Sequence, residues 1–257
     1  MAASEPVDPR PFDLGPRDAR AAVLCLHGLT GTPYEVRPLA EAFAARGMRA
    51  FGPALPGHAA TVDELAKIGS WTVWSDAARA ATAELADRHE RVFAAGLSMG
   101  GLLALLLASE RAVDALVVVG VPLRLAAPIP QLVAILEFVA PMLAKSGGSD
   151  IQDEAARRRH PSYDAMPLAS VHELTKLQRV VRGRLRQVVA PILVAHGARD
   201  RTADPADARR IHAGVSSRER EILELDASGH VVPVDHDGPR LAEAAAAFLA
   251  KFLPRPR

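Results

Sequence analysis

Gly96-Leu97-Ser98-Met99-Gly100 has the form G-x-S-x-G. A serine hydroxyl is a poor nucleophile at neutral pH. It attacks a carbonyl carbon only when a base takes its proton and a carboxylate orients that base. The flanks supply a fitting context. Arg91-Val92-Phe93-Ala94-Ala95 reads as a buried strand, and Gly101 to Ala108 as a helix that is apolar all round. Strand, sharp turn and buried helix together make a nucleophile elbow. Small residues two before and two after Ser98 avoid clashes in the strained turn. The helix N-terminus beneath the serine favours developing negative charge. A turn that merely packs tightly would use the same glycines, so the partners of Ser98 decide between the two readings.

In an open parallel sheet, reacting groups sit on loops beyond the carboxyl ends of the strands. After the strand at 115–119 no carboxylate occurs until Glu137. After the strand at 192–195 the loop is His196-Gly197-Ala198-Arg199-Asp200, which makes Asp200 the leading acid. Asp204 and Asp207 are the alternatives, but Asp204 reads as a helix N-cap and Asp207 lies within that helix. Of nine histidines, three follow Asp200. His212 falls in the predicted helix, His236 lies close to the next one, and His230 follows the strand at 220–225. His230 is therefore the expected base. Two backbone N–H groups must also face the carbonyl oxygen as it becomes negative. Met99, after the nucleophile, supplies one. Leu29 supplies the other, from a loop where Gly28 lets the backbone pass close to the ligand. His27, before that glycine, buttresses the loop.

The elements that position these groups follow from periodicity. Ala21 to Leu26 reads as a buried strand, Pro33 to Arg46 as a helix stopped by Gly47, and Arg49 to Leu55 as a second strand. Ser70 caps a helix whose buried face is Trp71, Trp74, Ala78, Ala81 and Leu85. Ala115 to Val119 is apolar on both faces, as a central parallel strand should be. Val121 to about Arg186 then holds long helical patterns and no convincing strand. Alternation resumes with a strand at 192–195, a helix at about 204–214, a strand at 220–225 and a helix at about 238–252. The expected class is α/β, with a mostly parallel sheet, helices on both faces and a helical cap insertion at about 121–186 of a single domain spanning 1–257.

Composition excludes several functions. Half of the 257 residues are apolar and the net charge is +1, which gives no support to nucleic-acid binding. Cys25 is the only cysteine, so there is neither an intrachain disulfide nor a cysteine zinc cluster, and a reducing cytoplasmic setting is expected. Met1 to Asp13 has no apolar core of a signal peptide. Leu125 to Ala144 approaches bilayer-spanning length, but Gln131, Glu137 and the prolines at 128, 130 and 141 argue against a transmembrane segment. It reads instead as cap, lining an apolar acyl pocket through Leu125, Ile135 and Phe138, with the cap's own small core as the alternative. Arg157, Arg158, Arg159, Arg179, Arg182, Arg184 and Arg186 read as a solvated face that could also draw the cap weakly to an anionic lipid surface.

Together, His27-Gly28-Leu29-Thr30-Gly31, Pro56-Gly57-His58, Gly96 to Gly101, His196 to Asp200 and Ser228-Gly229-His230 resemble the small microbial carboxylesterases and monoacylglycerol lipases of the α/β-hydrolase superfamily. The order Ser98, Asp200, His230 is that superfamily's chain order. In the insertion, Tyr163, Met166-Pro167 and Glu173-Leu174 also match, and the likeness runs from about Ala21 to Phe252. The resemblance implies the α/β-hydrolase fold, a short cap over the site and no metal or cofactor. It also implies monoacylglycerols or simple carboxylic esters as small-molecule or lipid substrates. Ala59 departs from it, since a glycine usually completes Pro-Gly-His-Gly. A thioesterase or acyltransferase would use the same triad. A non-enzymatic binding protein on this fold usually lacks a triad member, and here all three positions are filled.

Overall fold

The apolar runs pair into one sheet of seven strands. The computed structural model describes residues 7–58, 60–125, 132–133, 136–137, 140–145 and 148–255. The strands are β1 (Phe12–Leu14), β2 (Ala21–Leu26), β3 (Arg49–Gly52), β4 (Arg91–Leu97), β5 (Ala115–Val119), β8 (Ile192–Gly197) and β9 (Arg220–Leu225). They lie in the order β1-β3-β2-β4-β5-β8-β9, and of these seven only β1 is antiparallel to its neighbour. The register pairs Leu26 with Gly96, Leu97 with Val119, and Gly197 with Leu225. His27, Ser98, Gly120, Ala198 and Asp226 therefore emerge along one edge, which is where a doubly covered parallel sheet gathers its ligand-facing loops.

Helices α1 (Arg37–Ala45) and α8 (Gly238–Ala250) cover one face, burying Leu39, Phe43, Leu241 and Phe248 against Val23, Phe93 and Val117. On the other face, α3 (Trp71–Ala86) and α4 (Met99–Ser109) bury Trp74, Ala78 and the whole of α4. Helix α4 is apolar all round because sheet and helices enclose it completely. Short α2 (Val62–Ala66) lies between β3 and α3, and α7 (Ala206–Gly214) packs beside β8 and β9.

Some expectations need adjustment. The helix read at 33–46 is split into a 3-10 turn at Pro33–Val36 followed by α1. Pro38 has no N–H to give the Tyr34 carbonyl, so a continuous α-helix cannot form there. The strand read to Leu55 stops at Gly52, before Pro53, for the same reason. β1 is an added edge strand whose Phe12 ring fills the space above Gly52, where a Cβ would lie 2.2 Å from it.

The stretch between β5 and β8 holds β6 (Met142–Ala144), α5 (Glu154–Arg159), β7 (Ala165–Pro167) and α6 (Leu168–Arg184). The expectation of no strand there is overturned: β6 and β7 form an antiparallel ribbon. Each is three residues long, too short for alternation to be read from sequence. Helix α6 puts Leu174, Leu177 and Val181 into the same core as α4, anchoring this stretch to the rest of the fold. Among the described residues no helix is long and apolar enough to cross a membrane.

Candidate active site

Ser98 stands on the turn between β4 and α4 with φ +54° and ψ −117°, a left-handed conformation that a side chain adopts only when the surroundings enforce it. The glycines on either side are obligatory. A Cβ on Gly96 would meet the Gly100 carbonyl oxygen at 2.2 Å, and one on Gly100 would meet the Leu26 carbonyl oxygen at 2.1 Å. The tight turn thus holds the start of α4 against the end of β2. Met99 opens α4 and is fully buried.

Beyond β8 and β9 the expected acid and base meet. His230 Nδ1 lies 2.8 Å from Asp200 Oδ2. The other Asp200 oxygen, Oδ1, accepts the N–H groups of Thr202 and Ala203 at 2.8 Å each. His196 Nε2 also lies 2.8 Å from Oδ2. Burial opposes a charge on Asp200, but the neighbouring His230 charge and these hydrogen bonds hold its carboxyl well below the usual range. Burial likewise opposes protonation of His230, yet the charge and hydrogen bond of Asp200 outweigh it and raise the imidazole above its ordinary 6.5.

Gly28 passes close to the elbow, since a Cβ there would lie 3.4 Å from Ser98 Cβ. His27 is buried and neutral, its pKa lowered by burial. Its Nδ1 lies 2.9 Å from the Gly28 carbonyl and its Nε2 accepts the Leu55 N–H at 3.0 Å. It therefore braces the loop, in the role its position suggests.

A cavity of about 540 Å³ joins these parts. Ser98, His230, Gly28 and Leu29 line its floor, and Leu125, Leu143, Met166, Val171 and Leu174 its apolar wall. Ile135, Phe138 and Ala59 lie outside the described residues. The rejected candidates lie elsewhere. The N-cap position of α7 is Pro205 and not Asp204, which lies one residue earlier and accepts the Ala206 N–H at Oδ1 at 3.0 Å, and buried Asp207 accepts the Leu123 N–H at 2.7 Å. His236 is exposed, and His212 sits on α7 with its Nε2 3.4 Å from the Arg220 carbonyl.

Four supporting residues escaped the sequence reading. His196 is the second imidazole on Asp200; its place at a strand end four residues before the acid is the one sequence signal. Asp150 clasps the loops that follow β8 and β9: its carbonyl accepts the His230 N–H at 2.9 Å and its Oδ2 the Arg201 N–H at 2.7 Å. Asp235 gathers the N–H groups of Gln152, Asp153, Gly229 and His236, each at 2.8 Å. Glu35 accepts the Gly28 N–H at 2.9 Å. Nothing local marks these last three. Among the described residues no group of three or more histidine, cysteine or carboxylate side chains is placed to hold a metal ion.

A parallel sheet of this strand order, with a serine elbow at the end of β4 and an Asp–His pair beyond β8 and β9, defines an α/β-hydrolase. Residues 17–237 match the family model described as "Serine aminopeptidase, S33", and the chain belongs to this family. It is 34% identical over 231 residues to the thermostable monoacylglycerol lipase of Bacillus sp. (strain H-257), covering 89% of this chain and 90% of that one. It is 24% identical over 246 residues to the carboxylesterase of Bacillus subtilis (strain 168), covering 96% and 98%. Its fold superimposes with a TM-score of 0.88 and 30% identity on a structure reported for LipS and LipT, two metagenome-derived lipolytic enzymes, covering 95% of this chain and 98% of that one.

Proposed function

We propose that this carboxylic ester hydrolase cleaves monoacylglycerols or short-to-medium-chain acyl esters through an acyl-enzyme on Ser98. The observation that carries the reading is the 2.8 Å pairing of His230 Nδ1 with Asp200 in a cavity that Ser98 also lines. Ser98 Oγ attacks the ester carbonyl as His230 Nε2 takes its proton. Asp200 keeps the Nδ1–H tautomer and stabilises the imidazolium. The N–H groups of Leu29 and Met99 receive the oxyanion. His230 then protonates the leaving alcohol, and later activates the water that frees the acid. Protein quenched during turnover of a p-nitrophenyl ester should carry one acyl group on the peptide containing Ser98. A rapid turnover with the acyl group on another peptide would refute the assignment.

The neutral imidazole is the base, so kcat/KM should rise with pH and then level. Because Asp200 raises the His230 pKa, the midpoint of that rise should lie above 6.5. Asp200→Asn should move it to lower pH. A pH–rate profile of the two proteins on a chemically stable ester checks the sign.

We assign residues 1–257 to one domain, with the stretch at about 121–186 as its cap and Leu125, Leu143, Met166, Val171 and Leu174 as its acyl pocket. Each buried methylene is worth about 0.8 kcal/mol, so kcat/KM should climb a few-fold per carbon until the pocket fills. Medium-chain monoacylglycerols should outperform acetate esters, and triacylglycerols should be poor. Flat kcat/KM from acetate to decanoate would exclude the pocket. A weak contact of Arg157, Arg158 and Arg159 with anionic lipid belongs to the same reading; salt-sensitive co-sedimentation with anionic liposomes tests it. The single, buried Cys25 supports a cytoplasmic location.

A further inference from the structure

Beneath the loop that follows β2 lies a buried carboxylate for which the acyl-enzyme scheme has no use. Glu35, in the 3-10 turn before α1, is 4% exposed. Burying a carboxylate is costly unless its oxygens are engaged. Here one oxygen is hydrogen-bonded and the other lies within ion-pair distance of an imidazole. Oε2 accepts the Gly28 N–H at 2.9 Å, and Oε1 lies 3.1 Å from His160 Nε2. Burial opposes the Glu35 charge, but the adjacent His160 outweighs it and holds the carboxyl down to about 2. The fit is close enough that a Cβ on Gly31 would sit 2.2 Å from the carboxyl group.

His160 belongs to the inserted segment, between α5 and β7, and its Nδ1 lies 2.7 Å from Ser149 Oγ. The insertion grips the same loop a second time. Lys145 Nζ donates to Thr30 Oγ1 and, at 2.7 Å, to Ser162 Oγ. Thr30 itself has φ +64°, so the loop needs such external ties to keep its shape.

The consequence falls on one peptide unit. The carbonyl of Gly28 and the N–H of Leu29 share a plane and point in opposite directions. His27 Nδ1 and the Gly31 N–H, at 2.9 and 3.2 Å, hold that carbonyl. Glu35 fixes the preceding N–H, on the same Gly28 residue. Rotation of Gly28 about either backbone bond would change the direction of the Leu29 N–H.

We infer that Glu35, held by His160 of the inserted segment, is a positioning residue that aims the Leu29 N–H at the substrate oxyanion. The inference rests on the acyl-enzyme reading and on Leu29 as an oxyanion donor. It makes the insertion part of the catalytic geometry as well as a cover for the substrate.

The test compares Glu35→Ala, Glu35→Gln and His160→Ala with the wild type. The measurements are kcat and KM on one p-nitrophenyl ester, Tm, and inhibition by an alkylboronic acid, which forms a tetrahedral anion on the serine. Loss of one oxyanion donor costs about 100- to 1000-fold, so a donor left unaimed in Glu35→Ala should cost roughly 30- to 100-fold in kcat. KM should stay within about threefold, and boronate affinity should weaken by the same factor as kcat/KM. Glu35→Gln keeps an oxygen for the Gly28 N–H and should stay within about fivefold of wild type. His160→Ala should lose about tenfold, again in kcat and boronate affinity together. A pair that only fastened the insertion to the sheet would lower Tm without moving boronate affinity. That result, or a folded Glu35→Ala with wild-type kcat, overturns the inference. If Glu35→Ala does not fold, His160→Ala with wild-type kcat and boronate affinity overturns it. A wild-type protein that forms no acyl-enzyme and ignores the boronate refutes the ester-hydrolase reading itself, before any variant is made.

Discussion

Ser98→Ala should leave a folded protein whose kcat for ester hydrolysis has fallen by up to about a million-fold, as when the nucleophile of a serine hydrolase triad is removed. The fold should survive because alanine keeps the Cβ. The φ of +54° is imposed by β4, by the start of α4 and by the glycines at 96 and 100, not by the hydroxyl. Tm should therefore stay close to that of the wild type while acylation disappears. The residual rate would come from His230-activated water and the oxyanion donors, which still bind the ester. Kinetics on a p-nitrophenyl ester, with mass spectrometry of the quenched protein, check both halves. A folded Ser98→Ala protein that retains most of its activity would remove the elbow from the mechanism.

His230→Ala should be nearly as damaging, and His236→Ala close to neutral, since His236 is exposed and does not line the cavity. Asp200→Asn should cost less, about ten-thousand-fold. Asp200 accepts four N–H donors: those of Thr202 and Ala203 on one oxygen, and those of His196 and His230 on the other. An asparagine has one oxygen. If it serves the backbone pair, its amide N–H groups face the imidazoles. His230 must then accept at Nδ1 and carry its proton on Nε2, the nitrogen that should receive the proton of Ser98. Asp204→Asn should only loosen the start of α7, where Asp204 bonds the Ala206 N–H and Arg210. An Asp204→Asn protein less active than Asp200→Asn would transfer the role of the acid.

The sequence alone determined the elements whose causes are local. The elbow is legible because glycine is required wherever a Cβ would strike the neighbouring backbone, and those positions lie within five residues of one another. β2, β5 and β9 match their readings at both ends: β2 and β5 because a strand buried throughout must be apolar along its whole length, and β9, a partly exposed edge strand of mixed composition, because its flanks mark the turns. The order Ser98, Asp200, His230 followed from the rule that parallel strands present their carboxyl ends on one side. Tertiary structure decided the rest. Asp200, Asp204 and Asp207 are three carboxylates within eight residues, and only the placement of β9 beside β8 brings His230 to the first of them. β1, β6 and β7 are three residues each, below the length at which alternation becomes a signal, and exist because a partner strand pairs them. The ties of Asp150 and Asp235 to the catalytic loops, and of Glu35 to His160, join residues far apart in the chain. Such pairs are selected by the distance a side chain must span once the sheet has formed, and that distance is not written in the spacing of residues along the chain.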